Sequence, residues 1–327
     1  MKRIGILLGL IYLVLTYFFI QPPMVSSADV KYPTKSIKLV VPFSAGGPTD
    51  IVSRKLADLA GPYLGQEVIV ENKTGAGGVV GVRFVAKSKP DGYTIGVLSP
   101  SPAIITPIFM EVDYDPNTDF TPIIQFALAD QALAVRMDSP IKTFKDFIEE
   151  ARKRELTIAG VGRTAADIAM DRLAVIAKVK LKIVPFGGMA PAITAILGGQ
   201  TDAVVTSGYY EYVRSGKLRL LCLTTGMKNK EFPEIQTLKE LGYDIEVPAF
   251  YGIIAPKGLP EQIRKRLEEA FTRAVHDPSF APTVHNAGYT FFYRNGEDFG
   301  NHIKEMYKRS EKECRELGLG KYAKEKK

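Results

Sequence analysis

Val40-Val41-Pro42-Phe43-Ser44-Ala45-Gly46-Gly47-Pro48-Thr49-Asp50 reads as the end of a buried strand, a glycine turn and the first turn of a helix. Ile37, Leu39, Val40 and Val41 form the short apolar run of a strand covered on both faces. Gly46-Gly47 permits a tight backbone turn. Pro48 suits the first helical position, and Thr49 and Asp50 suit the first turn. Val52, Leu56, Leu59 and Tyr63 follow at helical spacing. Such a turn leaves N–H groups unpaired at the positive end of a helix, which makes an anion site out of backbone. The loop is expected to receive a carboxylate. A plain connecting turn is the alternative reading of the same residues.

Outward from this stretch, the N-terminus carries Lys2 and Arg3, an apolar run over 4–20, and Ser26-Ser27-Ala28. This is the pattern of a secretory signal cut after Ala28, so the protein is expected in the periplasm. The apolar run is long enough that a retained anchor stays open as an alternative. Removing residues 1–28 from the 327 leaves 299, room for one large or two medium domains. The net charge falls from +7 to +5, because that segment holds two basic residues and no acidic one. The basic residues are spread out with no arginine-rich arm, which argues against nucleic acid. His276, His285 and His302 show no ligand spacing, so no metal is expected. Cys222 lies in an apolar run and Cys314 on a helical stripe. Two buried free thiols are expected, with a disulfide as the alternative in an exported protein.

Strand and helix signals alternate along the rest of the chain, which is the signature of an α/β fold. A strand at 67–70 leads to a second glycine turn, Gly75-Ala76-Gly77-Gly78. A strand at 93–98 ends in a stiff loop, Ser99-Pro100-Ser101-Pro102, and an irregular connection spans 114–122. The extended run at 133–137 is expected to carry the chain into a second domain. There the pattern repeats, with turns at Gly160-Val161-Gly162-Arg163-Thr164 and at Pro185-Phe186-Gly187-Gly188-Met189-Ala190-Pro191. Strands are expected at Ala203–Thr206 and Leu218–Leu223, and the run at 250–255 is expected to return the chain. The expected domains are therefore 29–130 with 249–327, and 131–248. Four glycine turns at strand C-terminal ends, two per domain, describe a hinged protein that closes on a ligand. An enzyme is disfavoured. Ser44 is not in a Gly-x-Ser-x-Gly elbow, no phosphate-loop motif occurs, and no catalytic residue is expected.

Six blocks then carry a resemblance. They are Pro42-Phe43-Ser44-Ala45-Gly46-Gly47 with Asp50; Val70-Glu71-Asn72 with the glycine turn after it; Pro90-Asp91-Gly92-Tyr93-Thr94; Tyr114-Asp115-Pro116; Val184-Pro185-Phe186-Gly187-Gly188; and Ala255-Pro256-Lys257-Gly258. In order and spacing the chain resembles the substrate-binding proteins of tripartite tricarboxylate transporters, the Bug family. The resemblance implies a two-domain periplasmic binding protein of type II, a Venus flytrap with two crossovers and a ligand cleft between the domains. It implies a small carboxylate ligand and a pair of membrane transporter subunits as partners. Apart from the resemblance, no cofactor is expected, and the oligomeric state stays open with a monomer as the default. A ligand-binding component of a carboxylate-sensing pathway is the alternative.

In that family the ligand is held largely by main-chain groups and waters of two loops. Carried over, these are Phe43, Ser44, Ala45, Gly46, Gly47, Thr49 and Asp50 in one domain. In the other they are Phe186, Gly187, Gly188, Ala190 and Pro191, and Ser99 and Thr164 are expected beside them. Asp50 reads either as a first-turn partner of helix N–H groups or as an acceptor for a ligand amine or hydroxyl. Phe43 and Phe186 read as cleft walls or as ordinary core. One block departs from the family: after Gly160-Val161-Gly162 there is no His, and only Thr164 keeps a hydroxyl. Arg163 is expected either to hold a distal carboxylate in a bidentate pair or to lie in solvent.

Overall fold

The computed structural model describes residues 31–162, 164–226, 228–229, 231–245, 247 and 249–323. The expected signal segment, its cleavage point and Arg163 lie outside the described residues.

The apolar run at 37–41 forms β1 (Ile37–Val41), buried throughout except at Lys38. It lies parallel to β2 (Val68–Asn72) on one side and β3 (Thr94–Leu98) on the other. The Pro48–Leu64 helix joins β1 to β2, and the Val79–Ala86 helix joins β2 to β3. Gly65, in the left-handed conformation at φ 73°, ends the first of these helices. β4 (Phe120–Ala129) belongs to the same sheet. Then β5 (Ala132–Arg136), β6 (Leu156–Gly160), β7 (Leu181–Pro185), β8 (Ala203–Thr206) and β9 (Leu218–Leu223) build a second sheet. β10 (Tyr251–Pro256) and β11 (Tyr289–Asn295) return to the first.

The strand orders are β11-β4-β10-β3-β1-β2 and β7-β6-β8-β5-β9. Both sheets are mixed. β10 inserts antiparallel between β3 and β4, and β5 runs antiparallel to β8 and β9. The chain crosses from the first sheet to the second through Asp130 and Gln131 alone, and it returns through 224–250. This is the two-lobed architecture with two crossovers that the resemblance implies.

Three elements differ from the sequence reading, each for a local reason. Thr121-Pro122 signals a break, yet it lies in β4. Pro122 pairs with Ile254 beside a register shift, and such an irregularity accommodates a residue without an N–H. β11 is an edge strand with mostly half-buried aromatic residues, so it shows no alternating pattern. The loop expected at 99–102 instead feeds a helical turn, Ser101–Ile105, that continues into Thr106–Phe109. Pro102 falls in the first turn, where its missing N–H has no partner to lose.

Both sheets belong to one compact unit, Pro33–Lys327. A single apolar cluster runs from Val40 and Leu98 on the first sheet and Ala103 and Ile104 in the helical turn after β3 to Ile158 on the second sheet and Ala165, Ile168 and Ala169 in the helix after β6. Burying each large side chain contributes roughly 1.5–3 kcal/mol, so the lobes are held by more than their two crossovers. Arg172, almost fully buried, adds an ion pair to Glu313 at 3.0 Å and donates to the Asp244 carbonyl at 3.1 Å.

Cys222 on β9 and Cys314 on the Gly296–Leu317 helix are buried free thiols. Burial pushes the Cys314 thiol up to about 11 and the Cys222 thiol higher still, so neither is a ready nucleophile. Thiol titration is expected to find two reactive groups in denatured protein and none, over minutes, in native protein. Non-reducing and reducing mass spectra should agree.

Candidate functional site

A cavity of about 580 Å³ opens where six strands end. One wall comes from the first sheet: residues 42–49 after β1, 74–78 after β2, and Pro100 and Ser101 after β3. The other comes from the second sheet: Val161, Thr164 and Ala165 after β6, residues 186–191 after β7, and Ser207 after β8. Gln131, Tyr251 and Tyr289 complete the lining. Carboxyl ends of strands are the edge at which open α/β sheets receive ligands. The two walls stand close together: a Cβ added to Gly188 would lie 3.8 Å from the Ser44 Oγ.

Each wall contains an aspartate at the third residue of its helix. Asp50 is 2 % exposed, and its carboxylate accepts from the Gly46 amide at 2.9 Å, from Asn72 Nδ2 at 2.8 Å and from Arg54 Nε at 3.0 Å. Asn72 also donates to the Phe43 carbonyl, which ties the same loop to the end of β2. Burial raises the Asp50 pKa, but the bonds from Arg54, Gly46 and Asn72 outweigh it and leave the carboxyl below its ordinary value. In the second lobe Thr164 caps the Ala165–Ala177 helix, and Asp167 accepts from the Thr164 amide and hydroxyl, both at 2.8 Å. Asp167 is more deeply enclosed. Burial raises its pKa in spite of the Thr164 bonds and the nearby amides of Gly162 and Val161.

The amide of Gly46, expected to be open to an anion, is therefore taken up by Asp50, and that of Thr164 by Asp167. Other helix ends remain open. The Pro48–Leu64 and Met189–Leu197 helices begin on the cavity wall with glycine N-caps, Gly47 and Gly188, and neither has a side-chain cap. Their first-turn amides supply positive potential without a formal charge. The Val79–Ala86 helix instead continues the turn Ala76–Gly78, and the carbonyls of Ala76 and Gly75 accept from the Val79 and Val80 amides. Among the described lining residues no side chain is charged.

At the back, Tyr251 and Tyr289 stack with ring centres 4.7 Å apart, and the Tyr289 hydroxyl hydrogen-bonds Thr49 Oγ1 at 2.9 Å. Burial raises both phenols, so they remain neutral hydroxyls.

Of the expected residues, Phe43, Ser44, Ala45, Gly46, Gly47 and Thr49 line the cavity, as do Thr164, Phe186, Gly187, Gly188, Ala190 and Pro191. Asp50 and Ser99 do not. Asp50 braces the loop from behind, and Ser99 is 1 % exposed beneath the lining. Sequence reasoning omitted the second glycine turn, Ser101, Gln131, Ser207, Tyr251 and Tyr289. The turn at 75–78 could have been included, since it follows a strand at the same edge. The others carry no local signal, because long-range pairing brings them together.

The class of protein follows from this arrangement: a two-lobed periplasmic-binding-protein fold with its cleft at the strand ends. Residues 52–319 match the tripartite tricarboxylate transporter family receptor, and the chain belongs to that family. Among solved structures it resembles the periplasmic binding protein BugD, with a TM-score of 0.81 and 30 % identity over 88 % of this chain and 99 % of that one. MatC of Rhodopseudomonas palustris, solved with bound malate, gives a TM-score of 0.78 at 27 % identity over 86 % and 99 %. Another R. palustris protein, solved with adipate, gives 0.81 at 26 % identity over 88 % and 99 %.

Two outcomes follow from the aspartates. Asp50→Asn keeps the shape and removes the charge-assisted bonds, so it should cost roughly 1–3 kcal/mol at neutral pH. The folded-state pKa lies below the unfolded value of about 4. The cost is therefore full above pH ~4 and fades as the pH falls through the folded pKa; denaturation of both proteins from pH 7 down to 3 checks this. In the second lobe a Cβ on Gly160 would collide with Asp167 Oδ1. Gly160→Ala should displace that carboxylate, lower the melting temperature by the equivalent of about 1–3 kcal/mol, and break the Thr164–Asp167 capping bonds in a crystal structure.

Proposed function

We propose that the protein captures a small carboxylate in the interlobe cleft and delivers it to the membrane subunits of a tripartite tricarboxylate transporter. The observation that carries this is the convergence of two glycine-started helices without side-chain caps, one from each lobe, on a cleft with no charged side chain among its described lining residues. An anion fits such a place: the amides donate and the helix ends supply potential. The internal aspartates already satisfy the amides nearest to them, which leaves the uncapped first turns for the ligand.

The magnitudes suffice. Micromolar affinity needs about 8 kcal/mol, and hydrogen bonds to a charged group contribute roughly 1.5–3 kcal/mol each. Three or four main-chain donors with a helix end reach this before the cost of ordering the lobes. The malate and adipate complexes of two relatives support the same ligand class for this chain. On this reading residues 29–130 with 249–327 form one lobe and 131–248 the other. The protein acts as a monomer, exported through its N-terminal segment and cut after Ala28.

Protein spanning 29–327, unfolded and refolded to strip carried ligand, is expected to melt higher as malate, adipate or citrate is added. The shift should grow with the logarithm of concentration above the dissociation constant. Folded protein whose melting is unmoved by every carboxylate would refute the reading. Delivery is checked by uptake of the same acid into vesicles holding the membrane subunits, which should require the protein.

A further inference from the structure

We infer that Gln131 is a specificity-determining residue of the cleft, and that the ligand it selects carries a hydroxyl in addition to its carboxylate. The inference rests on the carboxylate reading above.

Gln131 is one of the two residues that carry the chain directly from β4 to β5. Its backbone is clamped: the carbonyl accepts from the Thr224 amide at 2.9 Å and from Thr224 Oγ1 at 3.3 Å, on the returning crossover. The residue is held where the two crossovers meet, so its position is set independently of either glycine loop.

The two polar side chains of this crossing differ. Asp130 is engaged within the protein, its Oδ2 accepting from the Tyr210 hydroxyl at 2.6 Å, from Thr290 Oγ1 at 2.9 Å and from Asn229 Nδ2 at 3.3 Å. Gln131 lines the cavity, is 4 % exposed, and has its Oε1 sealed from solvent with no partner among the described residues. A carboxamide in an enclosed site has strong donors and acceptors to satisfy. Its terminal torsion is soft, so either end can turn toward a bound molecule.

The surroundings define what that molecule offers. The wall supplies hydroxyls, main-chain groups and aromatic faces, with no formal charge among the described lining. A second full charge at Gln131 would find no cation among those groups. A hydroxyl both donates and accepts, as the carboxamide does. A site built to hydrogen-bond a ligand hydroxyl discriminates against the analogue that lacks it.

Isothermal titration tests this with matched acids: malate against succinate, 2-hydroxyglutarate against glutarate, and 6-hydroxyhexanoate against hexanoate. The wild type is expected to bind the hydroxylated member of at least one pair about tenfold tighter or more. Gln131→Met, close in size and without the amide, should bring that ratio to within about twofold by weakening only the hydroxylated member. Should this variant fail to fold, Gln131→Asn withdraws the amide by one methylene and should lose the preference in the same way. Equal binding within every pair, or a preference that survives in the variant, overturns the role of Gln131 while the binding of acids leaves the carboxylate reading intact. Folded wild type that binds none of the six acids overturns the carboxylate reading and this inference together.

Discussion

The cleft depends on a carboxylate placed at the third residue of a helix in each lobe. Asp50 and Asp167 reach back to the turn that precedes their helices and pair with its amides. A glycine turn has many accessible backbone conformations, and an internal anion selects one of them. The two lobes treat that anion differently. In the first, Arg54 and Asn72 complete its hydrogen bonds and hold it ionised. In the second, Gly160 leaves just enough room beneath it, and deeper burial raises its pKa. The same backbone geometry that attracts an external anion is thus partly filled from inside. What remains for a ligand is set by which helices lack a side-chain cap.

The interlobe contacts share this economy of space. A Cβ on Gly288 would lie 2.7 Å from the Gly208 Cα, so the backbones of β11's leading turn and of the residue after Ser207 are nearly in contact. Both glycines have positive φ, 79° and 73°, which other residues adopt only with strain. Directly beside them stand Ser207 and Tyr289, at the back of the cavity. Asp130 ties Thr290 of the first sheet to Tyr210 in the helix after β8 and to Asn229 on the return crossover. Burial raises this carboxyl against the pull of its Tyr210 and Thr290 bonds. Together with the continuous apolar core and the Arg172–Glu313 pair, these contacts give the interlobe floor a defined geometry.

The chain by itself determined the local parts. The apolar run at 37–41 had to be a buried strand, Gly46-Gly47 had to turn, and Pro48 had to open a helix, since each follows from side-chain volume and backbone freedom within a few residues. The repeat of that unit in the second half made two lobes with facing glycine turns legible, and the order of six blocks made the family legible. Tertiary structure alone decided which backbone groups stay open. Asp50 reads in sequence as a good first-turn residue, but only its meeting with Gly46, Arg54 and Asn72 shows that it occupies part of the anion site. The floor was likewise beyond local reading. Gln131, Ser207, Tyr251 and Tyr289 come from four separate segments, and long-range strand pairing, from Ala132 with Thr206 to Ala129 with Tyr289, places them at one point. Hydrogen-bond capacity is written in each residue, whereas its satisfaction depends on neighbours that the fold supplies.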